Sequence, residues 1–298
     1  MTSQSAPVFL LGVGAQKAGT SWLSHYLRQH PETAMGKIKE LQFFNSHFAD
    51  PDRPGMIEHN MKRAISAIQN RRKEVKYGKD FQYDSRMIGN LESVLMHYEP
   101  SRYPQYFEDI WKRNPTMRLT GDITPDYAAM SREGTAKMAR FVGKLPFRVK
   151  VVFVMRDPVE RAYSAFRMRN RKRRIGGLRV PLRGSFLTFC QSKAARARSG
   201  YHETIENLEA AFETDSIHYA FYEELFTDPE IQRLCDFLEI SYVEAPFETK
   251  RNAGGEKTRP SDKTIIAARD LFSETYEFCQ DRFGQDRINR LWQPRLAK

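Results

Sequence analysis

The pattern of apolar and polar positions predicts short buried strands that alternate with amphipathic helices. Val8 to Leu11 is a short apolar run and Val149 to Met155 a nearly continuous one, as in strands of a covered parallel sheet, and Ile217 to Phe221 predicts another strand. Met117 to Pro125 predicts a further strand that runs into a turn. Strands alternating with helices indicate an α/β fold, with a doubly wound parallel β-sheet flanked by helices on both faces.

Apolar residues at helical spacing predict helices between these strands. Trp22, Leu23, Tyr26 and Leu27 stand at helical spacing after the first strand. Further helices are predicted over Met56 to Gln69, Ser85 to His97 and Tyr103 to Asn114, and from Asp228, where Ile231, Leu234, Cys235 and Leu238 share one face. Because neither an internal repeat nor a linker interrupts the pattern, residues 1–298 are predicted to form a single domain.

Composition narrows the class of partner without naming it. The chain has 48 Lys and Arg against 37 Asp and Glu, a net charge of +11, which favours an anionic partner. Three distant cysteines, Cys190, Cys235 and Cys279, form neither a disulfide framework nor a zinc site, and the last two are expected in the core. Without a signal segment or a membrane-spanning run, we expect a soluble, cytoplasmic protein.

The residues after the first strand are suited to bind a phosphate or sulfate group. A glycine-bearing turn over Gly12 to Gly19 carries Lys17, and the hydroxyls of Thr20 and Ser21 follow where the helix begins. Such a turn directs backbone N–H groups and a helix N-terminus at one point. The ATP-type P-loop requires a Gly-Lys-Ser/Thr sequence, whereas here Lys17 precedes Gly19.

A second candidate anion site follows the strand that ends at Met155. Asp157 is a good N-cap, Pro158 suits the first helical position, and Glu160 completes a capping-box pattern. Arg156 therefore lies at the strand–helix junction, and Ser164 stands eight positions later on the same helix. An arginine fork with a nearby hydroxyl is a geometry that recognises phosphate.

Together these motifs resemble the PAPS-dependent sulfotransferases, which use 3'-phosphoadenosine 5'-phosphosulfate (PAPS), and in particular their heparan-sulfate-type and bacterial branch. Gln16 to Leu23 resembles the 5'-phosphosulfate loop, and Arg156 with Ser164 resembles the 3'-phosphate motif. Gly121 to Pro125 is similar to the family's middle motif, and Phe221 to Leu225 to its late strand. The cofactor-binding residues that the resemblance implies are Lys17, Ala18, Gly19, Thr20, Ser21, Trp22, Arg156, Ser164, Tyr222, Lys257 and Arg259.

The resemblance also implies catalytic roles. Lys39 to Phe44 is similar to the family segment that carries a glutamate base, which makes Glu40 the general base and Lys17 the cation at the leaving phosphate. His47 and His97 are the reserve bases, as in the branch that uses histidine. Because the transferred sulfate carries less charge than a phosphate, no metal is expected. The family's late Lys-Gly-Arg is replaced here by Lys257-Thr258-Arg259.

The acceptor is left open by the sequence. A hydroxyl-bearing molecule is implied, with carbohydrates and anionic glycans among the candidates. Residues 167–183 carry eight Lys or Arg and no acid, at Arg167, Arg169, Arg171, Lys172, Arg173, Arg174, Arg179 and Arg183. This basic stretch is interpreted either as a solvated loop or as a clamp for a polyanionic acceptor.

Two other functions compete with sulfuryl transfer. A P-loop kinase of a small metabolite shares the strand–loop–helix arrangement, but the Gly-Lys-Ser/Thr sequence and a clear acidic magnesium ligand are missing. A basic nucleic-acid-binding module would explain the charge alone. Against it, Lys17 and Arg156 stand at strand–helix junctions and not along a stripe with interleaved aromatics, so no nucleic acid is expected as a partner. The oligomeric state is not indicated.

Overall fold

The core of the fold is a four-stranded parallel sheet. In a computed structural model, the described residues are 6–36, 39–48, parts of 58–72, 85–172, 174–175, 178–179, 184–248 and 259–294. The strands are β1 (Val8–Gly14), β2 (Leu119–Ile123), β3 (Arg148–Met155) and β6 (Ile217–Phe221), in the order β2-β1-β3-β6. Strands β4 (Arg174–Ile175) and β5 (Leu178–Arg179) form a separate antiparallel pair.

Helices surround the sheet, as the alternating pattern predicts. They are α1 (Thr20–Gln29), α2 (Phe43–His47), α3 (Ser85–Tyr98), α4 (Arg102–Arg113), α5 (Arg132–Val142), α6 (Pro158–Lys172), α7 (Phe186–Gln191), α8 (Lys193–Ala197), α9 (Tyr201–Glu209), α10 (Asp228–Leu238), α11 (Asp262–Asp270), α12 (Ser273–Phe283) and α13 (Gln285–Leu291), with 3-10 turns at Pro125–Ala129 and Thr214–Ser216. The described residues of 58–72 are helical too. Among the described helices, none is long and apolar enough to cross a membrane.

The apolar strands are buried because helices cover both faces of the sheet. Every residue of β1 and β2 is buried, as are the last five of β3. Phe9 packs edge-on against Phe107, with ring centroids 4.8 Å apart. Burial of a side chain of this size contributes about 1.5–3 kcal/mol. The three cysteines are buried and unpaired, which confirms the expected core positions of Cys235 and Cys279.

Strand β1 extends further than the sequence predicts. Val8 to Leu11 was expected to end at a turn from Gly12, but the strand continues to Gly14. A Cβ on Gly12 would lie 2.9 Å from Ile123 Cγ1, and one on Gly14 would lie 2.6 Å from Ala128 Cβ. These two glycines therefore allow close packing inside the sheet, and the turn itself is only Ala15 to Gly19.

The strand order places the predicted motifs side by side. Strand β2 lies on one side of β1, and β3 lies on the other. In doubly wound sheets, ligands bind beyond the carboxyl ends of the strands where the order reverses. The loop after β1, which carries Lys17, and the junction after β3, which carries Arg156, flank that crevice. Met155 pairs with Phe221, so Arg156 and Tyr222 leave the sheet at the same level.

Candidate functional site

The loop between β1 and α1 leads into an uncapped helix N-terminus. Gly19, the N-cap of α1, has a φ of 86° and no side-chain cap, and the first turn of the helix contains no acidic residue. A Cβ on Gly19 would lie 2.8 Å from Leu225 Cδ2 and 3.2 Å from Tyr222 Cδ2, so only glycine fits there. The helix dipole and the first-turn N–H groups thus favour an anion at this end.

The side chains of this segment divide between the loop and the core. Lys17 also has a left-handed backbone, with a φ of 75°. Ser21 is half-buried, while Ala18, Thr20 and Trp22 are buried. The Trp22 indole packs against Phe226 and Phe247, at centroid distances of 5.1 and 5.9 Å. Trp22 therefore anchors the helix in the core, so its predicted contact with the nucleotide would have to be made by the backbone.

Arg156 connects the second candidate anion site to the first. Its Nη1 donates to the carbonyl oxygen of Lys17 at 3.1 Å, and its guanidinium lies 4.3 Å from the centre of the Tyr222 ring. The Tyr222 N–H donates to the Met155 carbonyl at 2.7 Å, which holds the two residues at one level. The structure thus brings Lys17, Arg156 and Tyr222, predicted from three distant parts of the sequence, into one cluster.

Arg259 joins this cluster through Glu160. The Arg259 Nη2 donates to Glu160 Oε1 at 2.7 Å, and the Arg156 Nη2 lies 3.6 Å from Glu160 Oε2. Ser164 is half-buried on α6, two turns beyond the start of that helix. Lys257 lies outside the described residues. Arg259, the described residue of the late Lys-Thr-Arg motif, thus shares Glu160 with Arg156.

The predicted capping box at the start of α6 is formed only in part. The Glu160 N–H donates to Asp157 Oδ1 at 2.8 Å, which confirms Asp157 as the N-cap. The reciprocal bond differs, because the Asp157 N–H donates to Glu223 Oε1 at 3.1 Å and not to Glu160. Glu223, which follows Tyr222, therefore binds the backbone of Asp157, which follows Arg156.

Asp157, which is buried, and Glu223, which is half-buried, form an acidic pair next to this cluster. Burial raises the pKa of Asp157 to about 6. The hydrogen bonds that Asp157 accepts from the Glu160 N–H and the Tyr276 hydroxyl lower this pKa but do not outweigh burial. Burial, with repulsion from Asp157, raises the pKa of Glu223 to about 7. The Trp292 Nε1 donates to Glu223 Oε2 at 3.2 Å, and the Tyr276 hydroxyl donates to Asp157 Oδ2 at 2.9 Å. The C-terminal part of the chain thus supports the cluster of Lys17, Arg156 and Tyr222 through these two carboxyl groups.

This pair is expected to make stability depend on pH. A carboxyl whose pKa is raised by folding binds protons more tightly in the folded state, so stability falls as the pH rises from the unfolded pKa to the folded one. Relative to Glu223→Gln, the wild-type chain should lose on the order of 2 kcal/mol of unfolding free energy between pH 5 and pH 8. Urea denaturation of both proteins at the two pH values measures this. Parallel pH profiles would contradict the assignment.

Glu40 lies on a backbone segment held by a buried aspartate. Glu40 and Gln42 both have left-handed backbones, with φ of 66° and 58°. The Asp122 carboxylate is 2% exposed and accepts from the Leu41 N–H. Burial raises the pKa of Asp122, and this hydrogen bond partly opposes that rise. The hydroxyls of Thr124 and Tyr127 donate to the same carboxylate at 2.8 and 2.6 Å. Asp122 thus fixes the segment that presents Glu40.

The Glu40 side chain is ion-paired with its neighbour. Lys39 Nζ lies 2.6 Å from Glu40 Oε1, and the side chains are 18% and 40% exposed respectively. Gln42 is buried and donates to Asp126 Oδ2 at 3.4 Å. Arg198 holds the other Asp126 oxygen at 2.8 Å. This geometry leaves the role of Glu40 as general base a prediction.

The two reserve bases lie together. The rings of His47 and His97 are stacked with centroids 5.0 Å apart, and the His47 Nε2 lies 3.4 Å from the Met96 carbonyl. Burial lowers the pKa of both, and the charge of His97 adds to the effect on His47. The lowered pKa favours the neutral form of both imidazoles. Within the described part of the chain, no cluster of three or more His, Cys, Asp or Glu could hold a metal ion.

Several residues of the site carry no recognisable signal in the sequence. Asp122 belongs to a noted motif, but its bond to the Leu41 N–H spans the distance between two segments. Glu223, Asp126 and Arg198 likewise act through partners far along the chain. Asp122 is unusual for an acidic residue because it is buried within strand β2, and Glu223 is half-buried two positions after the end of β6.

Comparison with a family model and with solved structures finds sulfotransferases. The sulfotransferase domain family matches residues 8–253, which include Lys17, Glu40, Arg156, Ser164 and Tyr222 but not Arg259. A sulfotransferase from Alicyclobacillus acidocaldarius is 19% identical with a TM-score of 0.56, and the match covers 98% of each chain. Mouse sulfotransferase SULT7A1 complexed with PAP is 14% identical with a TM-score of 0.45, over 97% of this chain and 89% of the mouse chain. No curated protein sequence is matched.

Proposed function

Since the chain belongs to the sulfotransferase domain family and is thus a PAPS-dependent sulfotransferase, we propose that it transfers a sulfuryl group to a hydroxyl acceptor with Glu40 as general base. The observation that carries the donor assignment is the bond from Arg156 to the Lys17 carbonyl. It joins two anion-binding segments at the carboxyl edge of the sheet. A nucleotide with phosphate groups at both its 3' and 5' positions has the charge distribution that suits this pair.

The residues divide between the two ends of the donor. The 5'-phosphosulfate would lie at the N-terminus of α1, against Lys17 and the hydroxyls of Thr20 and Ser21. The 3'-phosphate would lie by Arg156, Ser164 and Arg259. Tyr222, beneath the Arg156 guanidinium, offers a ring face beside the adenine. Lys257, outside the described residues, is proposed for the same phosphate on the resemblance alone.

The chemical step is an in-line displacement at sulfur. The acceptor oxygen forms a bond to sulfur while the bond from sulfur to the bridging oxygen breaks, and adenosine 3',5'-bisphosphate (PAP) leaves with that oxygen. The acceptor proton passes to the Glu40 carboxylate. Lys17 stabilises the charge that develops on the bridging oxygen, an electrostatic contribution of about 3–4 kcal/mol in comparable sites. The sulfuryl group carries less charge than a phosphoryl group, so the proposal needs no metal.

The competing functions gain no support. The order of Lys17 and Gly19 still departs from the ATP-type loop. Arg156 and Arg259 instead face the cluster that contains Lys17 and Tyr222, where Arg156 reaches the Lys17 carbonyl and both arginines reach Glu160. We therefore propose neither a kinase nor a nucleic-acid-binding module.

Substitution of Arg156 should distinguish binding of the 3'-phosphate from binding of the 5' end of the nucleotide. Arg156→Ala is expected to weaken PAP binding at least about tenfold, because it removes charged hydrogen bonds to the 3'-phosphate. Adenosine 5'-phosphosulfate, which lacks that phosphate, should lose much less affinity. Calorimetric titration of both nucleotides measures the difference. An equal loss for the two would mean that Arg156 does not bind the 3'-phosphate.

The acceptor class is proposed from the basic stretch 167–183. Its described part comprises the end of α6 and the backbone of β4 and β5. Arg167 lies 5.7 Å from the Tyr163 ring centre, and Arg169 lies 5.4 Å from that of Phe189. Helix α6 begins beside Arg156 and carries Ser164, and the basic stretch starts on the same helix. The stretch therefore lies close in sequence to the proposed nucleotide site. We propose that it binds an anionic acceptor such as an acidic glycan.

Removal of these charges should affect the acceptor and spare the donor. Replacing Arg171, Lys172, Arg173 and Arg174 with serine is expected to raise the KM for a polyanionic acceptor severalfold and to flatten its dependence on salt. The affinity for PAP should change less than about twofold. Steady-state kinetics at two salt concentrations measure both effects. Unchanged acceptor kinetics would mean that the stretch does not bind the acceptor.

The proposed reaction is tested most simply by an acceptor screen with radiolabelled donor. Glycans, phenols, alcohols and amines are incubated with the enzyme and PAPS that carries labelled sulfate. Transfer of label to a hydroxyl compound, with stoichiometric release of PAP, supports the proposal. Transfer only to amines would overturn the hydroxyl acceptor while leaving the donor assignment intact.

A further inference from the structure

Glu160 lies between the two arginines that are proposed to bind the 3'-phosphate. One carboxylate oxygen accepts from Arg259 Nη2 at 2.7 Å, and the other lies 3.6 Å from Arg156 Nη2. The side chains of Glu160 and Arg156 are 24% and 17% exposed, so water screens this pair only in part. In the described part of the chain, no other acid is paired with either arginine.

The capping contacts at the start of α6 are made by other residues and not by the Glu160 carboxylate. Asp157 caps α6 through its own side chain, and Glu223 satisfies the Asp157 N–H that a capping-box glutamate would bind. The one structural contribution left to Glu160 is its favourable position in the first turn of the helix, which is worth about 0.3–1 kcal/mol on exposed helices. Both of its oxygens face Arg156 and Arg259.

We propose that Glu160 is a placeholder for the 3'-phosphate. In the free enzyme its carboxylate pairs with Arg156 and Arg259 and keeps both guanidinium groups near the position of the phosphate. When the nucleotide binds, the phosphate competes with the carboxylate for the same donors and is repelled by its charge. Glu160 thereby weakens the hold on the product PAP and accelerates its release. This inference rests on the proposed function.

The charge balance indicates the direction of the effect. With Glu160 ionised, the two arginines and the carboxylate together carry a charge of +1 against a phosphate group of about −2. Glu160→Gln raises that to +2 and keeps an amide oxygen that can still accept from Arg259. Repulsion is thus removed while much of the arginine geometry is retained, so the variant should bind PAP more tightly.

The experiment compares three proteins and two nucleotides. Wild type, Glu160→Gln and Glu133→Gln are titrated calorimetrically with PAP and with AMP, which lacks the 3'-phosphate. Glu133 is a matched control, because it is also a first-turn acid paired to a basic residue, Lys137 at 2.6 Å, on α5. Glu160→Gln should tighten PAP binding at least about fivefold and slow PAP dissociation in stopped-flow measurements. AMP binding, and both affinities of Glu133→Gln, should stay within about twofold of wild type.

The outcomes separate the placeholder from the proposed function. If wild type binds PAP but Glu160→Gln binds it equally or more weakly, the placeholder is wrong and Glu160 only orders the arginines. If the variant tightens AMP as much as PAP, the effect is not on the 3'-phosphate and the inference also fails. If wild type does not bind PAP, the proposed donor site itself is wrong, and the inference falls with it. Glu160→Ala, which should shift PAP affinity in the same direction, provides a second variant should the glutamine form fold poorly.

Discussion

Replacement of Lys17 by alanine is expected to lower sulfuryl transfer by at least about 10²–10³-fold. Lys17 stands on the loop that the Arg156 guanidinium holds through the Lys17 carbonyl, so its backbone should stay in place when its side chain is removed. The loss is then specific to the charge that develops on the bridging oxygen. Turnover with saturating PAPS measures it, and PAP affinity should weaken at the same time.

Two controls belong with the Lys17 variant. Lys112→Ala, an exposed lysine on α4 with 71% of its side chain accessible, should leave turnover unchanged. Lys17→Arg keeps the charge but changes its geometry and should recover only part of the activity. Near-normal turnover in Lys17→Ala would remove the basis for the 5'-phosphosulfate loop.

Glu40→Gln should lower turnover by about 10²–10⁴-fold and leave PAP affinity within about twofold of wild type. The substitution preserves the shape of the side chain and removes its basic oxygen. The backbone strain at this position is unchanged, because either residue has to adopt a φ of 66°. Single-turnover measurements with saturating PAPS isolate the chemical step from product release.

The histidine pair provides the competing outcome. His47→Gln and His97→Gln should each retain most of the wild-type turnover if Glu40 accepts the proton. If Glu40→Gln remains active while one of these variants is inactive, the base is a histidine, and the ion pair between Lys39 and Glu40 is structural. The stacking of the two rings makes both variants necessary, since one imidazole could partly replace the other.

Much of the scaffold could be predicted because it rests on local patterns. The apolar run of β3 and the bounds of β6 agree with prediction, as does the buried face of α10. The end of β1 could not be placed, because Gly12 and Gly14 read equally well as turn residues. Glycine is needed at these positions because a Cβ on Gly12 would clash with Ile123 and a Cβ on Gly14 with Ala128, each more than a hundred positions away.

The chemistry of the site was only partly accessible from sequence. Arg156 follows a strong strand signal, so its position beside Lys17 follows from the order of parallel strands. The partner of the Asp157 N–H could not be foreseen, since a local glutamate fits the capping-box spacing while the bond forms with Glu223. The support of Glu40 by Asp122 depends on a bond between segments with no shared pattern.

The central claim is that the cluster of Lys17, Arg156 and Tyr222 binds a nucleotide with phosphate groups at its 3' and 5' positions. Thermal unfolding is measured with PAP in the absence of magnesium, and with ATP in its presence. A ligand that binds only the folded state raises the unfolding temperature, and the stabilisation grows with the logarithm of its concentration relative to Kd. The account predicts stabilisation by several degrees with PAP and little or none with magnesium and ATP. Stabilisation only by magnesium and ATP, or by neither nucleotide, would contradict it.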